Sequence, residues 1–258
     1  MTMHFEVFGE DGPGLILSSG LGGLGSYWSA QIADLSRHFR VVVYDHRGCG
    51  KTGGDVAAQG GIAAMADDLL EIADALQFDR FHIMGHALGG LIGLELALRP
   101  ESRISSLALV NAWSKADPHS GRCFDIRLEL LEKSGIPAFL KAQPLFLYPS
   151  WWMSENAQRL EVEERNGLAY FQGKTNITRR IAALRVFDVD DRLDQIRVPC
   201  LVLATPDDLL VPYQRSLRLA DGLPKARLHL MENGGHAVNI VHPEAFNRTA
   251  LEFFLHET

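Results

Sequence analysis

A strand with one face in water alternates apolar and polar residues, and the strand-like runs of this chain do not. Leu15-Ile16-Leu17-Ser18, Val41-Val42-Val43-Tyr44, Ser106-Leu107-Ala108-Leu109-Val110 and Val198-Pro199-Cys200-Leu201-Val202-Leu203-Ala204 are apolar along nearly their whole length. Runs of that kind are buried on both faces. Between them lie segments with helical spacing. Residues 27–39 place Trp28, Ile32 and Leu35 on one side, and residues 62–76 do the same with Ile62, Met65, Leu69, Ile72 and Leu76. Buried strands alternating with helices predict an α/β fold: a mostly parallel sheet with helices on both faces. Residues 4–8, closed by the turn Gly9-Glu10-Asp11-Gly12-Pro13, and residues 226–231 add a first and a last strand.

The strand pattern stops over residues 113–193. Helical segments at 123–131, 157–171 and 177–187 alternate with Pro118, Pro137, Pro144 and Pro149, and Phe146, Tyr148, Trp151 and Trp152 gather large aromatic rings. The expected organisation is a core of residues 1–112 and 194–258 with a helical lid, 113–193, inserted between strands. The length of 258 residues suits one large domain with such an insertion. A formal charge of −7 gives no reason to expect nucleic acid or a membrane surface as partner. No apolar run approaches the roughly 18 residues of a membrane span. The N-terminus, Met1-Thr2-Met3-His4-Phe5-Glu6, lacks the basic-then-apolar pattern of a secretion signal. Cys49, Cys123 and Cys200 are scattered and odd in number, with neither a disulfide framework nor zinc spacing. A cytoplasmic protein without a metal is expected.

Four loops follow predicted strands, and in open α/β sheets ligands bind at the carboxyl ends of strands. The loop Ser19-Gly20-Leu21-Gly22-Gly23 can aim backbone N–H groups at a developing anion. Leu21 N–H is one candidate donor, Leu88 N–H the other, and Gly22 is a candidate substrate contact. Gly20-x-Gly22-x-x-Gly25 with Asp45 further on also fits a dinucleotide fingerprint, although the other three loops serve no nicotinamide site. The loop Asp45-His46-Arg47-Gly48-Cys49-Gly50 has Asp45 where a phosphate-binding loop ending in Gly50-Lys51-Thr52 needs glycine. A buried Asp45 pairing with Arg47 is expected there, with Cys49 inert. The third loop is Gly85-His86-Ala87-Leu88-Gly89, between an apolar run and a helix. It has the shape of a nucleophile elbow, G-x-S-x-G, with alanine in place of the serine. The fourth element is a pair: Asp208, four residues before Pro212, and His236 in Gly234-Gly235-His236. Nucleophile position, acid and histidine follow in the order of a hydrolase triad. Asp208 is preferred to Asp207 as the acid, and His86 is expected to pack rather than react.

Gly20-Leu21-Gly22-Gly23, Asp45-x-Arg47-Gly48-x-Gly50, the elbow, Asp208 with Pro212, and Gly235-His236 resemble the α/β-hydrolase superfamily along the whole chain. Gly85-His86-Ala87-Leu88-Gly89-Gly90, Arg122-Cys123-Phe124, Ala142-Gln143-Pro144-Leu145-Phe146-Leu147-Tyr148-Pro149, Phe171-Gln172-Gly173-Lys174, Asp207-Asp208-Leu209-Leu210-Val211-Pro212 and Gly234-Gly235-His236-Ala237 resemble its RutD-like branch. That resemblance implies disposal of a small reactive intermediate of uracil breakdown, carbamate or 3-aminoacrylate. It also implies that alanine at the elbow is native.

Ala87 has no lone pair, so no acyl-enzyme can form on it. Asp208 can still orient His236, and His236 can still move protons, a contribution of about 10² to 10⁴ in rate. The expectation is therefore a weak, cofactor-free hydrolase of a non-peptide C–N bond acting on a small anionic metabolite. Arg47, Lys115 and Arg122 are candidate cations for that anion. Two other readings stay open: a serine esterase or lactonase whose nucleophile is replaced by Ala87, and a non-catalytic binder of a small metabolite. A homodimer also stays open.

Overall fold

A computed structural model describes residues 2–257. The chain begins with β1 (Phe5–Phe8), β2 (Gly14–Ser18), α1 (Ser29–Leu35), β3 (Arg40–Tyr44), α2 (Gly61–Ala75), β4 (Phe81–His86), α3 (Leu88–Ala97) and β5 (Ile104–Val110). It leaves the sheet for α4 (Pro118–Glu129), α5 (Gly135–Leu147), α6 (Ser150–Glu155), α7 (Ala157–Ala169) and α8 (Lys174–Val186). It returns as β6 (Cys200–Ala204), α9 (Gln214–Gly222), β7 (Ala226–Leu230), α10 (Val238–Val241) and α11 (Pro243–His256). The strand order is β1-β3-β2-β4-β5-β6-β7. β1 pairs antiparallel with β3, and the other pairings are parallel. From β2 the chain builds outward to one side, and from β4 to the other. The loops after these two strands therefore flank the crevice where the order reverses.

The near-continuous apolar runs are explained by two cores, one on each face. Ile16, Val42, Ile83, Leu107 and Val202 point to the side covered by α2, α3, α8 and α9. Their neighbours Leu15, Val41, Met84, Ala108 and Leu201 point to the side covered by α1 and α11. Successive strand residues face opposite ways, so both sets must be apolar.

The helical insertion departs from expectation in adding α6, in the earlier start of α8, and above all at α4 and α5. α4 starts at Pro118 rather than 123, because the Asp117 carboxylate accepts Ser120 N–H at 3.0 Å and caps it. α5 runs through the two prolines read as breaks. Pro137 lies in its first turn, where an N–H has no intrahelical acceptor to lose. Pro144 lies near its end, and its carbonyl accepts Tyr148 N–H at 2.9 Å. The insertion leaves and returns at one point. Lys115 and Asp188 form an isolated antiparallel bridge, and Ser114 donates to Asp190 at 2.5 Å. Among the described residues no helix is long and apolar enough to cross a membrane.

Besides His236, treated below, His46, His82 and His86 are buried inside this frame. Burial pushes all three below the usual histidine value, His82 to about 4. Between pH 6.5 and 4 the unfolded chain binds protons that the folded chain refuses, so stability falls as pH falls through that window. His82 alone accounts for roughly 3 kcal/mol at the lower end. Urea unfolding at pH 7 and pH 5 checks this; equal midpoints contradict it.

Candidate active site

Ala87 joins β4 to α3 with φ 46° and ψ −109°, a left-handed backbone that a residue with a side chain adopts only under constraint. The constraint is the approach of strand to helix. A Cβ on Gly85 would lie 2.3 Å from the carbonyl of Gly89, and one on Gly89 would lie 2.0 Å from Ser18 O. Both positions must be glycine for α3 to start this close to the sheet. Ala87 N–H donates to Val110 O at 2.9 Å, which fixes the turn on β5. The strained elbow is thus built in full around a methyl group.

His236 Nδ1 lies 2.7 Å from Asp208 Oδ2, both side chains buried. The other Asp208 oxygen accepts Leu210 N–H at 2.7 Å and Val211 N–H at 2.9 Å. A carboxylate held by two amides is an acceptor at Oδ2, which places the imidazole proton on Nδ1 and leaves a lone pair on Nε2. Among the described residues Nε2 has no hydrogen bond, and the ring lines the cavity described below. Asp207, the alternative acid, accepts Gly234 N–H at 3.1 Å and Gly235 N–H at 3.0 Å, so it shapes the loop that carries His236. His86 Nε2 and Asn111 Nδ2 each donate to His236 O at 2.8 Å. His86 also stacks on Tyr27, with ring centroids 4.9 Å apart. Burial first, then the neighbouring His236, keeps His86 neutral. It packs, as expected, and it holds the loop that bears the proton carrier.

These groups open on one cavity of about 350 Å³, within the range of small-molecule sites. Ser19, Leu21, Gly22, Ala87, Leu88 and His236 line it from the sheet side, and Phe124, Arg127, Gln143, Tyr148, Arg159 and Glu163 from the helical insertion. Leu88 is the first residue of α3, so its N–H has no intrahelical acceptor. Gly23 N–H donates to Gly20 O at 3.0 Å and fixes the peptide that bears Leu21 N–H. Five residues of the cavity lining carry a buried polar atom with no hydrogen-bond partner among the described residues: Ser19 Oγ, His86 Nδ1, Trp113 Nε1, Arg127 Nε and Gln143 Oε1. Buried polar atoms are rarely left so, and a concentration of them in one cavity marks a place for ligand or water.

None of the three candidate cations lines the cavity. Arg47 donates to Asp68 from Nε at 2.8 Å and also faces Glu71. It borders a separate, smaller cavity of about 130 Å³ with Tyr44, His46 and Arg180. Lys115 pairs with Asp188 at 2.6 Å at the foot of the insertion, and Arg122 is exposed on α4. The pairing of Asp45 with Arg47 does not occur either. Asp45 accepts Gly25 N–H and Lys51 N–H, both at 2.9 Å. That use also removes the acid a dinucleotide fingerprint needs for a ribose. Cys49 is buried beneath Arg180, which donates to its sulfur at 2.9 Å. Among the described residues no three His, Cys, Asp or Glu side chains come together as a metal site.

The cation that does line the cavity is Arg127, which sequence reasoning passed over. A signal was present. Cys123 and Arg127 are four residues apart on the side of α4 that buries Phe124, and Leu131 continues that spacing in the turn after the helix, so Arg127 falls on an apolar stripe. Arg159 also lines the cavity, but its Nε donates to Glu163 at 3.0 Å.

Comparison with known proteins agrees with this architecture. The α/β-hydrolase fold family model matches residues 13–243. A protein of Rhizobium rhizogenes is 66% identical over 254 residues, 97% of either chain, and one of Agrobacterium fabrum is 63% identical over 256 residues, 98% of either chain. Both bear the provisional name carbamate hydrolase RutD. Among solved structures, the enol-lactonase of Burkholderia xenovorans superposes with a TM-score of 0.89 at 27% identity, covering 98% of this chain and 96% of the other.

Proposed function

The chain belongs to the α/β-hydrolase family and within it to the RutD group; on that premise we propose that it hydrolyses the C–N bond of a small anionic metabolite of pyrimidine breakdown, carbamate or 3-aminoacrylate, by proton transfer through His236. One observation carries the reading: an intact Asp208–His236 pair stands behind an elbow whose central residue offers no atom for bonding to substrate. Residues 113–193 act as the lid, since they supply the far wall of the cavity.

The two substrates ask for little beyond proton movement. Carbamate, once protonated on nitrogen, breaks its C–N bond with the electron pair leaving on ammonia, and the carboxylate becomes carbon dioxide. One proton is consumed and no nucleophile is needed. 3-Aminoacrylate first takes a proton on its α-carbon and loses one from nitrogen, giving the imine. Water then adds to the imine carbon and ammonia leaves with the C–N electron pair, so that one water yields malonic semialdehyde and ammonia. His236 Nε2 is the group to accept the water's proton and return it to nitrogen. Asp208 stabilises the imidazolium in between. The amides of Leu21 and Leu88 face the charge that develops.

Time-resolved ammonia release from freshly generated carbamate and 3-aminoacrylate tests the proposal. An acceleration of either over buffer supports it. Tight binding without acceleration transfers the case to a metabolite-binding protein. The likeness to an enol-lactonase favours one further comparison. Ala87→Ser places an oxygen at the strained turn that lines the same cavity as His236, and an acyl-enzyme with a burst of p-nitrophenol from p-nitrophenyl acetate is expected. If Ala87→Ser gains no esterase activity, the scaffold is not a lactonase lacking only its serine.

A further inference from the structure

Arg127 is almost wholly buried, yet its guanidinium has neither a hydrogen bond nor a carboxylate partner among the described residues. The rings of Phe139 and Phe146 lie 5.8 and 5.5 Å from the guanidinium carbon. Burial lowers its pKa to about 10, so it remains charged at neutral pH. The acid that lines the same cavity, Glu163, is already taken up by Tyr148 OH and Arg159 Nε, each at 3.0 Å. An unpaired buried cation is costly to fold around. Its counter-charge must come from the cavity, and a carboxylate matches the fork of an arginine two bonds at a time.

We propose that Arg127 anchors the carboxylate of the substrate, and that the site takes a short monocarboxylate whose C–N bond breaks at a carbon other than the carboxylate carbon. This rests on the reading above of a C–N hydrolase. The choice between substrate types follows from where charge goes. In carbamate the carboxylate loses its negative charge as carbon dioxide forms. A guanidinium on it therefore stabilises the ground state more than the transition state and slows cleavage. In an enamine or imine carboxylate the charge is unchanged throughout. The same contact then binds and orients without a penalty on the chemical step.

The test reads binding separately from turnover, with propionate and its neutral isostere propionamide as probes in calorimetric titration of wild type, Arg127→Met and Arg127→Lys. Wild type is expected to prefer propionate at least tenfold. Arg127→Met should lose roughly 10- to 100-fold in propionate affinity with propionamide unchanged, and Arg127→Lys should fall between. Without ligand, Arg127→Met should melt at a higher temperature than wild type, because an unpaired charge leaves the interior. With 3-aminoacrylate its KM should rise while kcat stays within a few-fold. Propionate bound equally by wild type and Arg127→Met overturns the anchor. So does loss of carbamate turnover in Arg127→Met at saturating substrate. If instead propionate binding depends on Arg127 while ammonia release is indifferent to His236, the anchor stands and the proton-transfer mechanism falls.

Discussion

His236→Ala is expected to bring ammonia release down toward the spontaneous rate, a loss of about 10² to 10⁴. The size follows from what is absent at the elbow. In a serine hydrolase the histidine is one of several groups sharing the acceleration, and covalent catalysis accounts for a large part. Here Ala87 contributes no bond, so proton transfer carries nearly all of the chemical help. Only the Leu21 and Leu88 amides and the binding contacts remain when the imidazole is removed. Asp208→Asn should lose nearly as much. An asparagine presents either its carbonyl or its amide to the Leu210 and Val211 N–H groups and to His236 Nδ1, which together need three acceptances. The imidazole then loses the partner that holds its lone pair toward the cavity. Ammonia detection in single-turnover mixtures, with added imidazole as a rescue arm, measures both variants. A His236→Ala protein as fast as wild type would remove His236 from the reaction.

Gly89→Ala is expected to cost at least about 4 kcal/mol of folding stability, in the range where a small domain loses most of what it has. The new Cβ would stand 2.0 Å from Ser18 O and 2.5 Å from Ser18 C. Both are backbone atoms of β2, a strand hydrogen-bonded on both sides to β3 and β4, so nothing flexible can move aside. Relief requires α3 to lift off the sheet, which would also take the Leu88 amide and Ala87 out of place. Gly22→Ala is the matched control, since a Cβ there meets nothing within 4 Å. Its stability should stay within about 0.5 kcal/mol of wild type. Urea unfolding of the three proteins decides the matter. A Gly89→Ala midpoint close to wild type would mean the elbow is not held by this contact.

Much of the architecture was legible in the chain because it is written in period and order. Strands apolar on both faces can sit only between two helical layers, and Ile16 and Leu17 do divide between the two cores. The elbow was legible because two glycines are the only residues that let strand and helix meet there. Asp208 and His236 were legible because each closes a strand, and chain order then brings them to one end of the sheet. Helix α5 was not legible, because Pro137 and Pro144 read as breaks unless their place within the helix is known.

What the linear chain determined by itself, then, is the α/β layering, the strained turn at Ala87 and the pairing of acid with histidine. What only the tertiary structure decided is which charges face one another. Arg47 goes to Asp68, Asp45 to two backbone amides, and Arg127 to the wall of the cavity. The physical reason is range. Periodicity and turn chemistry act between neighbours a few residues apart, whereas the partner of a charge is set by elements that meet only once the sheet and its helical insertion have packed.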